Sequence, residues 1–186
     1  MPTDFLPIKG NYRNLIVFQK TECIYDITYY FAHKYLRPGD RTIDQMVQAA
    51  RSGRQNIAEG SAASTTSSET ELKLLNVAKA SLQELLLDYE DYLRVRGLSQ
   101  WEVNSEKSVK TRAICARHND SAYYRDAIQS RSDETICNIA ITLLHQADLL
   151  LLKLIERCKT DFVQNGGIKE QMYQARINYR NKIQKS

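Results

Sequence analysis

At 186 residues, with 42% hydrophobic and 26% charged residues, the chain suits one domain with enough apolar material for a real core. Only seven glycines and three prolines leave little material for turns, and the long periodic runs point to an all-α protein. The formal charge of +4 is unevenly placed: residues 1–100 balance, residues 101–152 carry −1 and residues 153–186 carry +5.

In chain order, residues 1–10 read as an extended lead, broken by Pro2, Pro7 and Gly10. A first helix is expected from about Asn11 to Leu36. Val17, Ile24 and Phe31 repeat every seven residues, Ile27 and Tyr35 fill the same side, and Arg37-Pro38-Gly39-Asp40 stops it. Its tyrosines and phenylalanines, at helical spacing, read as core or subunit contact rather than as a base-stacking platform.

The second helix is expected from Asp40 to Ala62 and has two working faces. At about 100° per residue, Ile43, Met46, Val47, Ala50, Ile57 and Ala58 share one arc, with Gly53 at its margin. The opposite arc carries Gln45, Gln48, Arg51, Ser52, Gln55, Asn56 and Glu59. That face is mostly amides and a hydroxyl, which hydrogen-bond a partner without the desolvation cost of an ion. It reads as a face satisfied by another helix, in this subunit or a neighbouring one. Arg54 falls inside the apolar arc and must snorkel or pair with a carboxylate.

A Ser/Thr/Ala turn over 61–68 follows, and Ser68-Glu69-Thr70-Glu71 matches a capping box. The third helix should run to Arg96 and stop at Gly97. Leu75, Ala78, Leu82, Leu85, Tyr89 and Tyr92 alternate steps of three and four, the seam of a bundle helix. Residues 98–131 form a long connection with two short helices, expected to pack on one end of the bundle with Trp101 as anchor. The fourth helix, from about Asp133 to Gln164, is apolar nearly all round. A helix of that kind must be buried all round, so the tail or a second subunit is expected to cover it. Beyond Asn165-Gly166-Gly167, residues Ile168 to Ile183 form a basic amphipathic tail helix.

Two stretches carry a family resemblance. Arg51-Ser52-Gly53-Arg54-Gln55-Asn56-Ile57-Ala58-Glu59-Gly60, followed by Ala78-Lys79-Ala80-Ser81-Leu82-Gln83-Glu84-Leu85, resembles a bacterial four-helix-bundle family. Its members were first met as proteins encoded in intervening sequences of 23S ribosomal RNA genes, and accessory proteins of diversity-generating retroelements are relatives. The family pattern, Asn-Ile-Ala-Glu-Gly and then a Ser-x-x-Glu-Leu helix, is intact here. Many members have Ile-Pro where this chain has Gly53-Arg54, so their proline kink should be absent. The resemblance covers residues 12–97, and Leu143 through Phe162 and Gly166-Gly167 to Arg180 resembles the suffix region of a longer subgroup. It implies an antiparallel up-and-down four-helix bundle over residues 11–164, with an extra helical segment over residues 165–186. The all-round apolar fourth helix and the amide-rich second argue for a homo-oligomer independently of the family, with Gln45, Arg51, Gln55, Asn56, Glu59, Gly60, Ser81 and Glu84 as the helix-interface motif; the resemblance adds a pentamer by analogy.

Catalytic and metal chemistry has little to stand on. None of the eleven glutamates has His three residues later, as a di-iron bundle needs. There is no zinc spacing and no phosphate-binding glycine loop, so no enzyme, cofactor or metal is expected. His145 and Asp148, three apart, read as a bundle-core polar pair. Cys23, Cys115, Cys137 and Cys158 are scattered and read as reduced thiols of a cytoplasmic protein. There is no run of about 18 apolar residues and no signal-peptide core, so no membrane role is expected.

Two function classes remain. One is an oligomeric scaffold or adaptor that binds RNA, DNA or a nucleic-acid enzyme. Its contacts would be Lys169, Arg176, Arg180, Lys182 and Lys185, with Tyr173 and Tyr179 able to stack. The other is a self-assembling protein-interaction module with no nucleic-acid role.

Overall fold

The structure, a computed structural model, describes residues 11–183, and among them all regular secondary structure is helical. The expected lead over residues 1–10 and Lys185 lie outside the described residues. A 3-10 turn, Tyr12–Asn14, precedes α1 (Ile16–Tyr35), α2 (Arg41–Ala63) and α3 (Ser68–Arg96). Then come α4 (Glu106–Arg117), α5 (Ser121–Ile128), α6 (Asp133–Asn165) and α7 (Ile168–Ile183).

Local chemistry sets most of these boundaries. The first helix begins later than periodicity implied. The Asn11 side chain accepts from the Arg13 N–H, making a short turn, and extended backbone at Leu15 separates that turn from α1. Asp40 caps α2 by accepting from the Thr42 N–H at 2.9 Å, and α2 runs unbroken through Gly53-Arg54. The cap of α3 is Ser67, not Ser68: its Oγ accepts from the Thr70 N–H at 3.2 Å. The Thr70 hydroxyl donates to the same Oγ at 3.0 Å and the Glu71 N–H donates to the Ser67 carbonyl at 3.1 Å, so the capping box expected at Ser68 and Glu71 is replaced by a simple cap at Ser67. At the far end Gly97, at φ 66°, lets the Leu98 N–H reach the Leu93 carbonyl at 2.9 Å, closing the helix.

The long helices touch in a closed cycle, α1 to α2 to α3 to α6 and back to α1. Ile24, Ile27 and Phe31 of α1 meet Met46, Ala50 and Ile57 of α2 in the same core. Leu75, Ala78, Leu82, Leu85, Tyr89 and Tyr92 of α3 are all buried, as their spacing required. Each buried tyrosine hydroxyl on α3 is satisfied: Tyr89 donates to Thr28 Oγ1 and Tyr92 to Asp133, both at 3.0 Å. Between α2 and α3 the approach is close enough that a Cβ on Gly53 would lie 2.6 Å from Leu82 Cδ2.

The connection over residues 98–131 is placed differently from expectation. It lies along the flank made by α1 and α6 instead of capping one end. Lys20 near the start of α1 donates to the Cys115 carbonyl at 2.6 Å, and Arg125 pairs with Asp26 at 2.8 Å. Tyr35, at the end of α1, donates to the Arg131 carbonyl at 2.9 Å. On α6, Asn138 accepts from the Trp101 N–H and donates to the Ser99 carbonyl, and Gln146 donates to the Arg112 carbonyl. Trp101 is half-buried. The flank placement also bears on α6: α4 covers part of the apolar surface that the tail or a second subunit was expected to cover.

Within Asp133–Asn181, the stretch that holds α6, an 18-residue window has mean hydropathy 1.5. By length and composition it could cross a membrane, where sequence reading saw no such run; half of the window is buried, as a core helix would be. His145 is exposed and has no hydrogen bond to Asp148, so the expected core polar pair does not form. The four cysteines are buried thiols that form no disulfide among the described residues.

Candidate interaction surfaces

The tail helix α7 follows a two-residue joint. Gly166 sits at φ 70°, where a side chain is strained, and the Gly167 N–H is capped by the Glu170 carboxylate. Lys169, Tyr173, Arg176 and Arg180, at i, i+4, i+7 and i+11, share one arc of α7. All four are exposed, and none of the three cations is paired with a carboxylate. Met172, Tyr179 and Ile183 form an apolar strip beside them, between 51% and 67% exposed. The Lys182 side chain is outside the described set. None of the described side chains of this helix belongs to the core, and the exposed Phe162 and Val163 of α6 lie just before it.

The amide-rich face of α2 is divided. Ser52 Oγ and Ser81 Oγ share a hydrogen bond of 2.9 Å across α2 and α3, and Asn56 donates to both the Ser52 carbonyl and its hydroxyl. Gly60 is buried against Leu74 and Leu75 of α3. Gln45, Gln48, Arg51, Glu59 and Glu84 remain exposed, with Gln55 half-buried. A shallow groove of about 390 Å³ runs between the two helices past Gln45, Ser52, Ser81 and Glu84. One turn beyond Glu84, Asp88 has a buried carboxylate oxygen with no hydrogen-bond partner. Burial, then the negative charge of Glu84 and Asp91, raises its pKa to about 6.

On α1 the aromatics also divide. Phe18 and Phe31 are core, whereas Tyr29 is exposed and lies against His33 with ring centroids 4.2 Å apart. Tyr25, Tyr29 and His33 line an open groove of about 690 Å³ with Lys34 and Arg125. Its cations are engaged already: Arg125 by Asp26, and Lys34 by the Tyr30 hydroxyl at 2.6 Å. Arg54 neither reaches solvent fully nor meets a carboxylate; its guanidinium stacks 4.5 Å from the Tyr25 ring centroid.

Sequence reasoning missed Lys20, a buried cation whose Nζ donates to the Cys115 carbonyl. Desolvation lowers its pKa. No local pattern marks it, because a single lysine on a helix looks solvated until α4 covers it.

No family model, curated protein or solved structure matches the chain.

Proposed function

We propose that the chain is a non-enzymatic helical scaffold or adaptor that assembles with copies of itself and holds nucleic acid or a nucleoprotein on α7. The observation that carries this reading is the unpaired basic stripe of Lys169, Arg176 and Arg180, exposed with Tyr173 on one arc of a helix outside the core. Counterion release from phosphate gives such a stripe its free energy, and the tyrosines add base stacking. Assembly multiplies the +5 of residues 153–186 in each copy, which makes a weakly cationic chain an effective phosphate ligand.

In this reading α1, α2, α3 and α6 are an antiparallel up-and-down four-helix bundle of the 23S rRNA intervening-sequence family, with five copies the number that resemblance implies. The closed cycle of helix contacts and the short links α1–α2 and α2–α3 support the bundle. The exposed Gln45, Arg51, Glu59 and Glu84 support a neighbouring subunit on the α2–α3 groove.

The deciding experiment measures binding to single- and double-stranded RNA and DNA at low and raised salt, alongside sedimentation. Full-length protein should bind with a steep salt dependence, and a chain ending at Gly166 should not. The strip of Met172, Tyr179 and Ile183 favours a second reading, a protein-interaction module with no nucleic-acid role. Absence of binding at low salt, or binding untouched by loss of the tail, leaves that reading standing. A monomer at micromolar concentration removes self-assembly.

A further inference from the structure

The flank segment encloses a hollow of about 310 Å³ between α4, α5 and α6, more sheltered than the α1 groove. Its chemistry is one-sided. Lys107, Lys110 and Arg131 line it, no carboxylate does, and none of the three cations has a carboxylate partner. Trp101 and Tyr123 supply flat apolar walls. Tyr123 is held in place by face-to-face stacking on His118, with centroids 3.9 Å apart and planes 6° from parallel. The Trp101 indole Nε1–H is buried with no acceptor among the described residues. A buried donor without a partner is rare in folded chains and asks for an acceptor.

Each feature constrains the occupant. Three cations with no carboxylate partner, one of them (Lys107) 5.9 Å from the Trp101 ring centroid, favour negative charge. Aromatic walls favour a planar ring. The unpartnered indole N–H calls for an acceptor atom on that ring or beside it, and the volume suits a mononucleotide. We propose that this hollow binds a nucleoside monophosphate, its base against Trp101 and Tyr123 and its phosphate among Lys107, Lys110 and Arg131. The nucleotide is either free or the 5′-phosphorylated end of a strand. The site is separate from α7 and stands whether or not the tail binds nucleic acid.

Trp101 is the single tryptophan of the chain, so its emission reports this site alone. The full chain is titrated with adenosine and uridine monophosphates, with adenosine, and with inorganic phosphate. At least one monophosphate should change Trp101 emission saturably, half-saturating below about 1 mM. Adenosine and phosphate alone should be weaker by about tenfold or more, because each meets only half of the lining. Lys110→Ala with Arg131→Ala, both at exposed positions, should weaken the monophosphate by about tenfold while leaving the thermal midpoint unchanged. A 5′-phosphorylated trinucleotide that matches or exceeds the free nucleotide assigns the site to strand ends. A trinucleotide that fails to bind where the nucleotide succeeds assigns it to the free metabolite. No saturable response to either monophosphate by about 10 mM, or equal affinity for inorganic phosphate, or equal affinity in the double variant, overturns the proposal.

Discussion

The α2–α3 pair and α7 are both amphipathic helical stretches by sequence pattern, yet they play opposite parts in the molecule. Between α2 and α3 a glycine meets Leu82, two serines share a hydrogen bond, and Leu75, Leu82 and Leu85 are buried. Among its described side chains, tail helix α7 contributes none to the core and exposes most of the apolar ones. The difference teaches that a hydrophobic period reports helix formation, and that only the depth of the apolar arc reports where stability lies. Residues whose exposure has no folding reason are the ones left free for partners.

The largest expected effect lies on the α3 seam. Leu82→Ala empties a site at the centre of the helix pair and should cost about 2–5 kcal/mol in chemical denaturation. A loss below about 0.5 kcal/mol would remove Leu82 from the core.

Gly53 sharpens the same contact. An added methyl gains roughly 1 kcal/mol of helix propensity, but it drives into the Leu82 side chain, and overpacking costs about 1–3 kcal/mol. Gly53→Ala should therefore be neutral to destabilising alone and stabilising in the Leu82→Ala background, where the space is empty. A double-mutant cycle reads the coupling directly, and additive effects would break the account.

Most of the framework was legible because it depends on local signals. The Leu75-to-Tyr92 seam, the Gly97 stop and the Asp40 start each follow from a residue and its near neighbours. The illegible parts are tertiary. Nothing local places residues 98–131 along α1 and α6, since that depends on side chains such as Lys20 and Tyr35 finding carbonyls about 95 residues away. The cap at Ser67 was displaced because two adjacent serines offer the same chemistry, and the backbone path selects between them. Of the candidate site, helix spacing gave the α7 arc of Lys169, Arg176 and Arg180. The hollow behind Trp101 lay beyond reach, because its walls come from three elements.

A smaller effect comes from Asp88, a charge on α3 set against the fold. Its pKa is raised to about 6 in the folded chain, above the usual carboxylate value near 4, so the folded state holds the proton more tightly than the unfolded state. Stability therefore falls as pH rises from about 4 to about 6 and is flat above that window. Asp88→Asn should remove this slope, adding about 1 kcal/mol at pH 7 after allowance for solvent screening, and nothing at pH 4. An equal gain at both pH values would assign the effect to packing instead of charge.

The tail should show the smallest stability effect and the sharpest functional one. Lys169→Glu, Arg176→Glu and Arg180→Glu together touch no buried group, so the change in unfolding free energy should stay within about 0.5 kcal/mol. The thermal midpoint should hardly move. Nucleic-acid affinity should respond quite differently. Each cation that neutralises a phosphate contributes a slope of about −0.9 in log affinity against log salt on duplex DNA, so three per chain give a steep dependence that reversal removes. Tyr173→Ala with Tyr179→Ala separates the other contribution: it should weaken single-stranded ligands through lost stacking and leave the salt slope unchanged. If charge reversal melts the protein as Leu82→Ala does, α7 belongs with α2 and α3 and the contrast between them fails. If it leaves both stability and binding intact, the basic stripe serves only solvation, and the apolar strip beside it becomes the surface that a protein partner would take.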